Sequence, residues 1–123
     1  MNYGQYAFRV PPEKQVRVIT DTDAKCEADD QFAIVHALLS PKFENIGFIG
    51  AHFGAKRPGG MEKSVQELEK IFDLMSFDPT GMIYPGACGP MPDEQTPIDS
   101  PGAQLIIREA MREDPRRLFV TFQ

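Results

Sequence analysis

Hydrophobic and polar residues alternate along the chain in two different periods, which predict strands and helices in turn. Short apolar runs rich in β-branched and aromatic residues are typical of buried strands, and they occupy residues 15–20, 45–52, 82–84 and 118–122. Apolar residues spaced three and four apart predict helices between these strands, at residues 29–40, 61–75 and 101–113. Such alternation favours an α/β fold with a parallel, Rossmann-like sheet.

The predicted helices indicate which residues should face the core. Asp29 and Asp30 suit the positive N-terminus of the first helix. The apolar stripe of this helix is predicted from Phe32, Val35, Leu38 and Leu39. The stripe of the second helix, which we interpret as core, consists of Met61, Val65, Leu68, Ile71, Phe72 and Met75. The Pro- and Gly-rich stretch of residues 85–100 is long for a connection and is typical of a binding loop.

Charge and composition narrow the classes of function open to this chain of 123 residues. One domain is expected at this length, with a polar leader at residues 1–14 and the domain itself at residues 15–123. The net charge of −5 and the scattered Lys and Arg argue against a nucleic-acid partner. No apolar run is long enough for a membrane span or a signal peptide, so the expected location is cytoplasmic. Cys26 and Cys88 lack the spacing of a zinc or disulfide framework.

Candidate chemistry concentrates in an acidic segment, residues 21–30, which directly follows the first predicted strand. It contains five carboxylates, those of Asp21, Asp23, Glu27, Asp29 and Asp30. Placement at a helix start explains two of them and contributes roughly 0.3 to 1 kcal/mol each, whereas two carboxylates about 4 Å apart repel by roughly 4 kcal/mol at an effective dielectric of about 20. The group must therefore be partly protonated, spread into water, or hold a hard cation such as calcium, magnesium or manganese. Lys25 can neutralise only one of the five.

Two families place a D-x-D motif directly after a first strand. Residues 18–23 (VITDTD) fit the opening of a haloacid-dehalogenase-type phosphatase, but that family has Thr or Val where Lys25 stands, and its metal-binding acidic pair lies far downstream. The chain resembles the nucleoside hydrolases more closely, because they open with a strand, D-x-D, a short turn, D-D and a small apolar helix start. The matching residues are Asp21, Asp23, Asp29, Asp30, Ala33 and Ile34, with His52-Phe53-Gly54 after the second strand. Weaker similarity extends to the end of the chain.

The resemblance to nucleoside hydrolases implies the N-terminal half of that family's α/β sandwich. It also implies calcium-dependent hydrolysis of an N-ribosyl bond in a small nucleoside or related glycoside. Asp23 and Asp30 would then be ligands of Ca2+, and Asp23 would also be the general base. Asp29 would accept a hydrogen bond from a ribose hydroxyl.

Two departures from the family pattern bear on the substrate. The turn between D-x-D and D-D is two residues longer than usual and carries Lys25 and Glu27. The chain has Gly54-Ala55 where the family has Gly-Asn, so an amide that contacts ribose is missing there. Three functions stay in competition: an N-ribosyl hydrolase, a non-catalytic relative that binds the ion and a ribosyl group, and the phosphatase.

The remaining ligands and a catalytic His of the family come from later positions. We therefore expect the chain to be the N-terminal part of a longer protein, with its own C-terminal fragment as a partner, and residues 1–123 alone to be inactive. Residues 118–123 (LFVTFQ) resemble a 3C-type protease site, which favours a proteolytic cut after Gln123. A truncated gene product is the alternative, and a homo-oligomer stays open.

Overall fold

The computed structural model describes residues 7–123, in which strands and helices alternate. After a 3-10 turn, Pro12–Lys14, the strands are β1 (Val16–Thr22), β2 (Phe43–Gly50), β3 (Ile83–Pro85) and β4 (Leu118–Phe122). The helices are α1 (Asp29–Leu39), α2 (Gly60–Leu74) and α3 (Pro101–Ala110). The strands form one parallel sheet in the order β3-β2-β1-β4, which confirms the predicted α/β fold with a parallel, Rossmann-like sheet.

Strand β1 lies inside the sheet, and its pairing fixes where the acidic segment begins. It is flanked by β2 on one side and by β4 on the other. The last two residues of β1 are still hydrogen-bonded to its neighbours. The Ala51 N–H, after β2, donates to the Thr22 carbonyl at 2.8 Å, and the Gln123 N–H, after β4, donates to the Asp21 carbonyl at 3.1 Å. Since all the strands are parallel, the residues that follow β1, β2 and β3 meet at one carboxyl edge, where ligands bind in sheets of this kind.

Helices cover both faces of the sheet, and each face has its own apolar core. The cluster under α1 and α2 consists of Ala24, Ile34, Ala37, Leu38, Phe48, Leu68, Ile71 and Phe72. Phe48 and Phe72 meet edge to face with ring centroids 5.4 Å apart, an arrangement that adds about 0.5–1.5 kcal/mol beyond burial. On the other face α3 packs against Ile19 and Ile49 through Leu105. Leu68, Ile71 and Phe72 of the predicted apolar stripe of α2 are thereby confirmed as core, and Met75 packs against them, whereas Met61 and Val65 are half-buried.

Element boundaries differ from the predicted ones by a few residues, and one predicted core residue is wrong. Strand β1 continues past Thr20 to Thr22, because both neighbouring strands pair with it, and α3 ends at Ala110. Phe32, predicted in the apolar stripe of α1, is 78% exposed. The buried side of α1 is formed by Asp30, Ile34, Ala37 and Leu38. Phe32 is two positions before Ile34, about 200° around the helix, and therefore faces solvent.

Residues 1–6 of the predicted leader lie outside the described residues, and the described remainder contains the 3-10 turn. Cys26 and Cys88 are free cysteines. Among the helices of residues 7–123, none combines the length and the apolar character that crossing a bilayer requires.

A buried ion-pair network holds α3 and the chain that follows it against β1. Arg17 of β1 is 4% exposed, and its Nη1 donates to a carboxylate oxygen of Glu109 at 3.2 Å and to the Glu109 carbonyl at 2.9 Å. Asp114 lies 3.8 Å from Arg17 Nε and accepts hydrogen bonds from Arg112 and Arg116 at 2.9 and 2.7 Å. The acidic partners compensate for the burial of the Arg17 charge. The network therefore fixes α3 along the sheet.

Candidate functional site

Asp30 is a buried carboxylate at the start of α1. Only 4% of the residue is exposed, and its Oδ1 accepts a hydrogen bond from the Thr22 hydroxyl at 2.5 Å. Thr22 is fully buried at the end of β1, so this bond joins the end of the strand to the start of the helix. The N-cap residue of α1 is Ala28, which has no side-chain acceptor. Attachment to β1, and not helix capping, therefore explains the position of the Asp30 side chain.

Asp23 belongs to a cluster of interacting negative charges. Its carboxyl has a pKa above the ordinary value because of burial and because of the charge of Asp30, with smaller contributions from Glu27 and Asp29, while a backbone hydrogen bond acts in the opposite direction. A tight turn, in which the Cys26 N–H donates to the Asp23 carbonyl at 2.7 Å, follows directly. The fold thus brings the two predicted ion ligands, Asp23 and Asp30, within range of electrostatic repulsion.

The basic side chains near the acidic segment have other partners. Lys25 Nζ lies 3.0 Å from Glu67 Oε2 on α2, and Arg57 Nη1 donates to Cys26 Sγ at 3.4 Å. Within residues 7–123 no Lys or Arg forms an ion pair with a carboxylate of the acidic segment. In this part of the chain, the repulsion among those carboxylates is therefore not offset by such a pair.

Oxygen donors with uncompensated negative charge suit a hard cation, and the fit to calcium is partial. Calcium takes about six to eight oxygen ligands, of which Asp23 and Asp30 can supply up to four. Across the described part of the chain, no three His, Cys, Asp or Glu side chains are grouped so that they could hold a metal ion. The two aspartates therefore form a nucleus of a site that needs further donors, such as carbonyl oxygens, water or substrate hydroxyls.

A cavity of about 300 Å³ opens at the same carboxyl edge, on the α3 face of the sheet. Asp21 and His52 form its polar part, and apolar side chains such as Met91 and Ile106 form much of the remaining wall. Asp21 Oδ1 is buried and has no hydrogen-bond partner among the described residues. Burial raises the pKa of Asp21, as does the charge of Asp23, and His52 opposes the shift. A buried acceptor without a partner favours a ligand that carries an N–H or O–H group.

Close packing of α3 on the sheet gives this cavity its shape. The N-cap residue Ser100 accepts a hydrogen bond at 3.1 Å from a backbone N–H of the first turn of α3. Gly102 lies so near β2 that a Cβ at this position would be 2.6 Å from Ile49 Cγ2. His52 is oriented by the Gly54 N–H, which donates to its Nδ1 at 3.0 Å. Two walls of the cavity are thereby fixed by backbone contacts.

Two further cavities, of about 350 and 910 Å³, lie elsewhere on the domain. The smaller of these is lined by apolar side chains such as Phe43 and Phe72 together with Glu44. The larger lies among charged residues that include Lys42 and Arg116. Neither is lined by a residue of the acidic segment. Of these three cavities, only the one at the carboxyl edge is lined by a carboxylate of the acidic segment, that of Asp21.

The site residues named from the sequence lie together at the end of β1 and the start of α1. Asp23 and Asp30 interact as described, and Asp29 is exposed at the first position of α1. Thr22 and Asp21 have no predicted role as ion ligand, base or substrate contact. Alternation along β1 places Thr22 on the α1 face and Asp21 on the α3 face. This alternation is the feature of the sequence from which the different surroundings of the two residues could have been predicted. The cavity beside Asp21 depends on α3, which is distant in sequence.

Comparison of the chain with models of known protein families and with curated protein sequences finds no match. A parallel α/β sheet is shared by many unrelated functions. The chemistry of the carboxyl edge is therefore the structural basis for assigning a function.

Proposed function

We propose that the chain is the N-terminal part of a nucleoside-hydrolase-like enzyme, which cleaves an N-ribosyl bond with the help of calcium. The observation that carries the proposal is the buried Asp30, which Thr22 holds at the end of the acidic segment that also contains Asp23. Both lie at the edge of the sheet where ligands bind in open α/β folds. The cavity at Asp21 and His52 opens at the same carboxyl edge, on the α3 face, and we assign the leaving group to it.

Asp23 is the general base in this proposal. Its carboxylate takes a proton from the water that attacks the anomeric carbon. Asp23 and Asp30 would hold the Ca2+, whose positive charge favours ionisation of a water molecule. Asp29, exposed at the start of α1, accepts a hydrogen bond from a ribose hydroxyl. The negative charge of these residues stabilises the positive charge that develops on the sugar as the bond breaks.

The leaving group is assigned to the cavity at the carboxyl edge. Its volume of about 300 Å³ lies at the lower end of the range of roughly 300–1,000 Å³ for small-molecule sites, which suits a single heterocyclic base. Met91 and Ile106 offer apolar contact to the faces of a flat ring, and Asp21 Oδ1 offers an acceptor for a ring or exocyclic N–H.

A phosphatase is the less favoured alternative because Lys25 stands where the haloacid-dehalogenase pattern has Thr or Val, and because the metal-binding acidic pair of that pattern lies far downstream of the first strand. Lys25, the basic residue of the acidic segment, is already paired with Glu67. A non-catalytic relative that binds the ion and a ribosyl group uses the same residues and differs only in turnover.

Activity assays on the complete gene product test the proposal. Mixed purine and pyrimidine nucleosides, p-nitrophenyl riboside and, separately, p-nitrophenyl phosphate are supplied with calcium or with a chelator. Asp23→Asn is expected to lower kcat for nucleosides about 10²–10⁴-fold, the usual contribution of a general base. Glu27→Gln, a matched change in the same segment, should stay near wild type. Cleavage of the phosphate ester alone would support the phosphatase, and ligand binding without turnover would support the non-catalytic relative.

A further inference from the structure

Glu67, in the middle of α2, makes two long-range contacts to the region of the acidic segment. Its side chain is 12% exposed, and its Oε2 lies 3.0 Å from Lys25 Nζ. Its Oε1 accepts a hydrogen bond from Gln31 Nε2 at 3.4 Å. The same Gln31 nitrogen donates to the Ala24 carbonyl at 2.8 Å. One carboxylate thus reaches both the turn after β1 and the first turn of α1.

These contacts involve the direct neighbours of the two proposed ion ligands. Ala24 follows Asp23, and Gln31 follows Asp30. The Ala24 side chain is fully buried in the core under α1 and α2, so its carbonyl is a fixed point for Gln31. The hydrogen bond between Gln31 and Ala24 therefore limits how far the backbones of Asp23 and Asp30 can separate.

Electrostatic repulsion works against this spacing. Asp23 is repelled by Asp30, Glu27 and Asp29, and like charges in a flexible turn spread into water unless other contacts restrain them. The Lys25 side chain is 50% exposed, so its ion pair with Glu67 adds little to overall stability. The pair instead restrains the backbone, because it connects the turn after β1 to α2, which packs on the sheet.

We propose that Glu67 is a positioning residue, which holds Lys25 and Gln31 so that Asp23 and Asp30 keep the spacing of the ion site. The inference rests on the proposed function, since the ion belongs to that function. Groups that orient the ligands of a metal without touching it typically change metal affinity about 10–100-fold when they are removed. Glu67 fits that role because it contacts a neighbour of each ligand and neither ligand itself.

Calcium titration of the complete gene product tests this role. Glu67→Ala removes both contacts, and Glu67→Gln keeps an acceptor for Gln31 but loses the charge that faces Lys25. Glu69→Gln, exposed on the same helix, is the matched control. Calorimetry at a temperature at which every variant is folded should give a calcium dissociation constant raised at least about tenfold in Glu67→Ala. The increase should be smaller in Glu67→Gln and absent in Glu69→Gln.

Alkylation of Cys26 measures the restraint on the turn without calcium. In chelator, the rate at Cys26, followed by mass spectrometry, should rise in Glu67→Ala, while the exposed Cys88 in the same samples keeps its rate. An unchanged rate at Cys26 would overturn the inference, and so would a faster rate combined with an unchanged calcium dissociation constant. Wild-type protein that binds no calcium would overturn the proposed function as well, an outcome distinct from unchanged affinity in the variant.

Discussion

Thr22→Val removes one hydroxyl from the interior and keeps the shape of the side chain. In the variant, Asp30 stays in a position that is 4% exposed but loses its donor at 2.5 Å. A hydrogen bond to a charged group contributes about 1.5–3 kcal/mol, and a buried group without its partner costs about 1–3 kcal/mol. We therefore expect the free energy of unfolding to fall by about 2 kcal/mol. For a domain of this size, Tm should fall by roughly 8 °C.

Urea denaturation in the presence of a chelator measures this loss without any contribution from bound ions. Thr121→Val is the control, because the half-buried Thr121 hydroxyl bonds to uncharged partners, the Ile19 carbonyl and the Thr20 hydroxyl, and its removal should cost less than the loss of a bond to a buried carboxylate. Combining Thr22→Val with Asp30→Ala, which removes the acceptor, should give a coupling free energy of about 1 kcal/mol or more. Equal stability of Thr22→Val and wild type would refute the reasoning that the hydroxyl holds Asp30.

Three further perturbations test the parts of the fold that place the site. Arg17→Met leaves Glu109 with Arg112 as its remaining ion-pair partner and removes the buried contact of Arg17 with Asp114, so it should lower the free energy of unfolding in urea by about 3 kcal/mol, the low end for breaking a buried ion pair; a loss under about 1 kcal/mol would show that the network is dispensable. Hydrogen bonds from Arg116 hold the pKa of Asp114 in the folded protein well below its ordinary value. The ionised Asp114 therefore stabilises the fold above about pH 4, the ordinary pKa of Asp, and this stabilisation is lost as the pH falls through the lower pKa of the folded state. Asp114→Asn should therefore lower Tm at neutral pH but not in strong acid, and a difference independent of pH would contradict this. Gly102→Ala, whose Cβ would lie 2.6 Å from Ile49 Cγ2, should cost about 1–3 kcal/mol by overpacking, and unchanged stability in urea would mean that α3 can shift.

The order of strands and helices can be predicted because each element carries its own local period. The apolar stripe of α2 and the β-branched residues of β1 need only their sequence neighbours to be recognised. The end of β1 is different. Aspartate is unfavourable in strands, so the prediction stops at Thr20, whereas pairing with β2 and β4 on both sides carries the strand to Thr22.

In the candidate site, too, some features can be predicted from the sequence and others depend on tertiary contacts. Asp23 and Asp30 are recognisable from spacing within a short segment that runs from the end of β1 to the start of α1. Partners that are distant in sequence leave no such pattern, since Glu67 lies 42 positions from Lys25. Phe32 was predicted in the apolar stripe of α1 but is exposed, because helical spacing alone does not tell which side of α1 faces the sheet. Tertiary packing decides both cases.

Calcium titration of wild type and Asp30→Asn by calorimetry, in the complete gene product, tests most directly the claim that the acidic segment holds a hard cation. Wild type should bind calcium and melt at a higher temperature with calcium than with chelator, because an ion that binds only the folded state stabilises it. Asp30→Asn keeps the size of the side chain and an acceptor for Thr22. It should therefore melt much like wild type in chelator, yet bind calcium about 100-fold more weakly or worse, beyond the effect of groups that merely orient ligands. Equal calcium affinity in the two proteins, or no calcium binding by wild type, would contradict the claim.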